Sequence, residues 1–222
     1  MKKVIAIDGP SGAGKSTIAK LIARELKYAY LDTGALYRAL ALGLVRIGIN
    51  ELSSEEELLS ALGKIKVEFR DGLVLLNGKD VSAEIRSPEA GHYASVFSAK
   101  RPVREHLLNI QRDAALHSDL VAEGRDMATV VFPDACKKFY LDASVEERAA
   151  RRTLELISRG FEVNGDRIRL EIMERDARDS GRDVAPLKKA DDAYLVDSSG
   201  LSIDEVFLKI LAIINNEDDN AQ

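Results

Sequence analysis

Val4-Ile5-Ala6-Ile7-Asp8-Gly9-Pro10-Ser11-Gly12-Ala13-Gly14-Lys15-Ser16 opens the chain almost at once. Val4 to Ile7 is a short, unbroken apolar run, the signature of a strand buried on both faces. The next residues spell G-x-x-x-x-G-K-[ST] and lead into a helical stripe of Ile18, Ala19, Ile22 and Leu26. Strand, glycine-rich loop and helix in this order make an anion cradle. Glycines let backbone amides turn inward without Cβ clashes, and the helix N-terminus adds partial positive charge. Lys15 is placed to reach the β- and γ-phosphates of a nucleotide, and the Ser16 hydroxyl to bind Mg²⁺. Gly9, Pro10, Ser11, Gly12, Ala13, Gly14, Lys15, Ser16 and Thr17 are therefore the expected ATP-binding set.

Outward from the loop, the first helix is expected over Lys15–Lys27 and a second strand over Tyr28–Leu31. Asp32-Thr33-Gly34 reads as a turn before a helix over Leu36–Val45. Ser53 to Glu57 begins a short helix with an acidic first turn. Ile65, Val67 and Phe69 then alternate with polar residues, and Asp71-Gly72 and Asn77-Gly78 flank Leu73–Leu76. Both dipeptides are tight-turn signals, so a small antiparallel β unit is inserted here. Helices are expected over Pro88–Ser98 and Pro102–His117, and strands over Leu120–Ala122 and Lys138–Leu141. Ser144-Val145-Glu146-Glu147 reads as a capping box for a long basic helix, interrupted from Gly160 to Gly165 and resumed from Arg167 to Asp179. Ala193–Val196 is the last strand, and Ser202-Ile203-Asp204-Glu205 caps the final helix before a polar tail, Asn215–Gln222, expected to fray. Strands alternating with helices imply a parallel sheet covered on both faces.

The chain has 222 residues, 45% of them hydrophobic and 31% charged, enough for one α/β domain with an insertion. The net charge of −5 argues against bulk nucleic-acid binding. No run approaches a membrane span, and the first apolar run is too short for a signal peptide. The single cysteine, Cys136, allows no intrachain disulfide, fits a cytoplasmic setting, and reads as a small residue packed near a strand. His92, His106 and His117 are scattered without cysteine partners and form no metal cage.

Arginine is concentrated where a parallel sheet gathers its ligands. Glu123-Gly124-Arg125-Asp126 follows a buried strand, and such sheets bind at the carboxyl ends of their strands. Arg38 lies one turn after Thr33-Gly34, while Arg175, Asp179 and Arg182 share a helical face if the helix holds, with Gly181 expected to end it. Surface ion pairs with Glu171 or Asp176 are the alternative for Arg175 and Asp179. Arg148, Arg151 and Arg152 share a face of the preceding helix; a solvated face paired with Glu147 and Glu155 accounts for them as well as a ligand role does. Convergent guanidiniums suit phosphoryl transfer because each can grip two phosphate oxygens in a fixed plane.

Ile5 to Ser16, Leu31-Asp32-Thr33-Gly34-Ala35-Leu36-Tyr37-Arg38, Val103-Arg104-Glu105 and Glu123 to Met127 form an ordered series. Thr129 to Asp134, Glu174 to Asp179 and Val184-Ala185-Pro186-Leu187 complete it. With these segments the chain resembles bacterial cytidylate kinases over nearly its whole length. The resemblance implies the nucleoside monophosphate kinase fold: an α/β P-loop domain with a central five-stranded parallel sheet flanked by helices, a small antiparallel β insertion and a helical lid. Residues 1–222 would then form a single domain, with core 1–60 and 101–222, a monophosphate-binding insertion at about 61–100 and a lid at about 152–167. By the same resemblance Thr33 and Asp179 correspond to ribose contacts, and Ser95, Arg104 and Asp126 to the cytosine-reading set. Arg38, Arg125, Arg175 and Arg182 correspond to ligands of the acceptor phosphate. Thr33 stands where serine is also usual, and Ala128 where glycine is common, which could alter the local turn.

The expected reaction moves a phosphoryl group from Mg-ATP to CMP or dCMP in a cytoplasmic monomer that binds neither nucleic-acid polymer nor membrane. The second pKa of a phosphate monoester is about 6, so the acceptor is largely anionic at neutral pH and needs no general base. Catalysis is then positioning and charge stabilisation, assigned to Lys15, Arg125, Arg175 and Arg182. Two other readings stand beside this one: a P-loop kinase for UMP, AMP or a small metabolite, and a nucleotide-sensing module without turnover. A GTPase is disfavoured, because no Asn-Lys-x-Asp base-reading motif is present.

Overall fold

The computed structural model describes residues 2–70 and 72–218. In chain order the elements are β1 Val4–Asp8, α1 Lys15–Leu26, β2 Ala29–Asp32, α2 Thr33–Arg46 and α3 Glu55–Leu62. Next come β3 Val67–Arg70, β4 Leu73–Leu76, β5 Lys79–Asp80, α4 Pro88–Phe97 and α5 Arg101–Asp113. The last are β6 Leu120–Gly124, β7 Lys137–Asp142, α6 Val145–Ser158, α7 Gly165–Gly181, β8 Tyr194–Asp197 and α8 Ile203–Asp218.

Five strands form one parallel sheet in the order β2-β6-β1-β7-β8. β1 and β6 lie at its centre and are buried along their whole length, as their continuous apolar runs require. Alternation along β1 divides the core between the two faces. Ile5 and Ile7 pack with Ile18 and Ile22 of α1 and with Val206, Ile210 and Ile214 of α8. Val4 and Ala6 join the larger cluster, where Leu36, Leu40 and Leu44 of α2 meet Phe97 of α4 and Leu107 of α5. Helices thus cover both faces of a parallel sheet, as the alternation of strands and helices in the sequence implies.

β3, β4 and β5 form a separate antiparallel sheet. Leu76 pairs with Lys79 across Asn77-Gly78, whose φ values of 49° and 78° are those the tight turn demands. Asp71 lies outside the described residues; its partner in the expected turn, Gly72, has φ 79°. Val67, Val74 and Leu76 add their buried faces to the α2 side of the core.

Several boundaries differ from the sequence reading for local physical reasons, beyond one-residue shifts at strand and helix ends. Asp32-Thr33-Gly34 is not a turn: the Asp32 side chain accepts from the Ala35 amide at 2.8 Å and caps α2, so Thr33 and Gly34 belong to its first turn. α5 stops at Asp113, because Leu116 beyond it points to solvent with nothing to bury against. β6 runs on to Gly124, since Glu123 and Gly124 still pair with Ile7 and Asp8. At Ser144 only half of the capping box closes. Ser144 Oγ accepts from the Glu147 amide, but the Ser144 amide donates to Ser199 Oγ, and Glu147 Oε1 accepts from the Gly200 amide. Both halves close at Ser54–Glu57 and Ser202–Glu205. Cys136 is exposed rather than packed, with its thiol donating to the Val4 carbonyl. α8 continues past Asn215 to Asp218, and the remaining tail residues, 219–222, lie outside the described residues.

Candidate active site

β1 delivers the chain to the phosphate loop, and β7 fixes how tightly the loop must turn. Gly9 has φ 149°, and a Cβ built on it would stand 1.9 Å from the Leu141 carbonyl oxygen, so only glycine fits. Lys15 is the first residue of α1 and is buried, its Nζ donating to the Pro10 carbonyl at 2.7 Å. Burial, and after it the Arg125 guanidinium, pulls the Lys15 ammonium down to about 7. The Ser16 hydroxyl donates to Glu123 Oε1 at 2.5 Å, and the Tyr30 hydroxyl reaches the same oxygen at 3.2 Å. Behind the loop, Asp8 takes the Met127 amide on Oδ1 and the Ala128 amide on Oδ2, each at 2.8 Å. Burial nevertheless pushes its carboxyl up to about 7. Ala128 donates this bond from a buried helical turn and is not among the residues with positive φ, so alanine fits where glycine was the expected type.

A cavity of about 460 Å³ opens over the carboxyl ends of β1, β2 and β6. Ser11 to Thr17 line one end; Arg38, Arg125, Arg175, Asp179 and Arg182 line the middle. Gly9 and Pro10 shape the loop without lining the cavity. Arg125 Nε donates to Asp179 Oδ2 at 2.9 Å, while Arg175 and Arg182 each lie 3.8 Å from the same carboxylate. Against the cost of burial, Arg125 and Arg175 hold Asp179 below the usual carboxylate range. Arg38 and Arg86 likewise share the buried Asp32, at 3.2 and 3.0 Å, and hold it low. Two carboxylates thus serve five guanidiniums. Arg38 Nε, Arg175 Nε and Arg182 Nη2 are buried without a hydrogen-bond partner. Burial and the neighbouring Arg125 bring the Arg175 guanidinium down to about 10. Such a crowd of unsatisfied donors is built to meet an anion.

At the far end Arg104 and Asp126 are both buried and form a 2.5 Å ion pair. Arg104 Nη1 also donates to the Ser98 carbonyl, and the guanidinium lies 5.3 Å from the Tyr37 ring centroid. Thr33 Oγ1 donates to the Glu123 carbonyl at 2.7 Å. Ser95 does not line the cavity; its Oγ accepts from Arg178 Nη1 at 2.6 Å.

A model of the family "Cytidylate kinase" matches residues 5–216. A cytidylate kinase of Thermotoga neapolitana is 48% identical over 210 residues, covering 95% of this chain and 96% of the relative. One from Thermosipho melanesiensis is 49% identical over 213 residues, covering 96% and 97%. The chain belongs to the cytidylate kinase family. It is therefore a kinase, and the fold is shared more widely. An uncharacterized protein from Eubacterium ventriosum superposes with TM-score 0.55 at 13% identity, covering 97% of this chain and 99% of that one. A gluconokinase from Sinorhizobium meliloti does so with TM-score 0.50 at 14% identity, covering 99% and 98%.

For a member of the cytidylate kinase family, the site contains residues the sequence reading left out. Asp32 and Glu123 face the cavity from the ends of β2 and β6, and the strand-end rule that singled out Arg125 could have found both. Arg86 comes from a short 3-10 turn in the β insertion and carried no local signal. Arg152 and Glu155 of α6, and Arg159 just past its end, reach the cavity. The solvated-face reading fails for Arg148, which is buried, with Nε on the Ala143 carbonyl and Nη1 on the Ser11 carbonyl and Asp176. Arg151 donates to the Ser198 carbonyl and hydroxyl besides pairing with Glu147. Arg175 turns to Asp179 inside the site, not to Glu171 at the surface. Among the described residues no group of histidine, cysteine or acidic side chains forms a metal cage, and no helix is long and apolar enough to cross a membrane.

Proposed function

We propose that the chain transfers the γ-phosphoryl group of Mg-ATP to CMP or dCMP. One observation carries this: a single cavity has a phosphate loop at one end, a buried Arg104–Asp126 pair at the other, and partnerless arginine donors between them. The loop amides and Lys15 hold the donor phosphates. Arg38, Arg125, Arg175 and Arg182 hold the acceptor phosphate and spread the charge of the transferring group. Thr33 and Asp179 take the ribose. Arg104 and Asp126 read the base, with Ser95 behind them. Asp126 acts as a hydrogen-bond acceptor and not as a base, because the acceptor phosphate is already an anion.

Mg²⁺ fits these residues. Ser16 offers a hydroxyl oxygen beside the Glu123 carboxylate, a hard-oxygen pair. When bound, Mg²⁺ neutralises charge on the β- and γ-phosphates. In this reading residues 61–100 form the monophosphate-binding insertion and 152–167 the lid, whose closure over two nucleotides keeps water from the phosphoryl group.

An ATP-dependent assay across CMP, dCMP, UMP and AMP tests the proposal. Turnover is expected with CMP and dCMP; preferred use of AMP, or no turnover with any acceptor, would refute it. ATP binding should also take up protons. Burial and Arg125 hold free Lys15 near 7, and a polyphosphate beside it raises that value. The bound state then carries more protons, so affinity should fall as pH rises from 7 to about 9. Calorimetric titration with ATP at pH 8 in buffers of different ionisation enthalpy checks this. An observed enthalpy independent of buffer would rule it out.

A further inference from the structure

Arg148 stands on α6 yet bonds to the phosphate loop. Its side chain is held by the Ala143 carbonyl at 2.9 Å and the Ser11 carbonyl at 3.1 Å, and Gly12 lies flat against its backbone and Cβ. The same Nη1 that holds Ser11 donates to Asp176 Oδ2 at 2.5 Å. Asp176 sits on α7, directly after Arg175 and one turn before Asp179. A single buried guanidinium therefore joins the loop that faces the donor phosphates to the helix that presents the acceptor arginines.

Two features separate this link from an ordinary brace. The N-terminal half of α6 is tied to the core independently: Arg151 bonds Ser198, whose hydroxyl also reaches the Ala13 carbonyl at 3.4 Å. That half of the helix thus has an anchor besides Arg148–Asp176. Second, Asp176 Oδ1 is buried with no hydrogen-bond partner. A half-satisfied carboxylate has a donor to gain when the helix shifts against the loop.

We propose that Arg148 and Asp176 are positioning residues that couple the two nucleotide subsites. This rests on the two-nucleotide reading above. Drawing the loop onto donor phosphates fixes the Ser11 carbonyl, and with it the Arg148 fork, Asp176, Arg175 beside it and Arg182 just past the end of α7. Displacing α7 alone would part a largely buried ion pair. Occupancy of either subsite then favours the arrangement that the other requires, and the effect is reciprocal.

The test uses the full chain, with calorimetric titration of a non-hydrolysable ATP analogue in the absence and presence of saturating CMP. The wild type, Asp176→Asn and Arg148→Lys are compared, with thermal melts of each. CMP should tighten analogue binding to the wild type. Asp176→Asn should cut that enhancement by about fivefold or more while each nucleotide alone binds within about twofold of wild type. Arg148→Lys keeps the charge but loses the fork, and should cut it too. An enhancement unchanged in both variants, or absent in the wild type, overturns the coupling and leaves the kinase reading standing. Equal loss of both single-nucleotide affinities makes the pair a fold brace and overturns it as well. A wild type that binds no CMP overturns the reading beneath it.

Discussion

Lys15→Ala should lower kcat by at least about two orders of magnitude and leave the fold intact. The Nζ donates to the Pro10 carbonyl and the side chain is buried, where charge acts more strongly than in water. It matters most as charge shifts between the β- and γ-phosphates, so its loss falls on the transition state more than on substrate binding. Burial and then Arg125 disfavour its charged form while Glu123 and Asp8 favour it, so the folded state gains little net from the charge. The variant should therefore fold and melt close to wild type while turning over far more slowly. A folded Lys15→Ala enzyme with near-normal kcat would remove Lys15 from the mechanism.

The parts of this molecule that could be read from sequence are those governed by short-range rules. The phosphate loop needs its glycines where they are because β7 passes within contact of Gly9. The continuous apolar runs of β1 and β6 had to become central strands. Asn77-Gly78 could only be a tight turn. Where reading failed, the cause was either a helix start misjudged by a few residues or a partner distant in sequence. Asp32 looked like a turn residue because its role as a helix cap depends on the helix beginning one residue later. Arg148 looked like one of three cations on a wet face, and only the fold reveals that Ser11 and Asp176 lie on either side of it. Of the expected site residues, most line one cavity, but helical spacing could not tell that Ser95 would sit behind the wall, held by Arg178. Arg86 had no periodic or motif context at all; Asp32, on a distant element, gives it its place.

Base choice is the second large expected effect. Cytosine presents an amino group at C4 and an acceptor at N3, whereas uracil presents an acceptor and a donor at those positions. Asp126 Oδ2 accepts from Arg104 Nη2, and a carboxylate has a second oxygen to accept an amino group. Arg104 is held in plane by the Ser98 carbonyl and lies over the Tyr37 ring, so its fork cannot swing aside to suit another base. With UMP the carboxylate would face a carbonyl oxygen and the guanidinium an N–H. Each such buried mismatch costs roughly 1–3 kcal/mol. Two together should favour CMP over UMP by on the order of a hundredfold or more in kcat/KM. Asp126→Ala should hurt CMP more than UMP and narrow that gap. Because it also strands the buried Arg104, Asp126→Asn serves as the isosteric control. Its amide can present a donor to the uracil carbonyl, so it should narrow the gap with less loss of stability. Kinetics of the wild type and both variants with CMP and UMP, alongside thermal melts, check the set. A wild type that used UMP as well as CMP, or variants that slowed both acceptors equally, would refute the base-reading role of Arg104 and Asp126. The phosphate loop and the transfer chemistry would remain standing, because they rest on residues at the other end of the cavity.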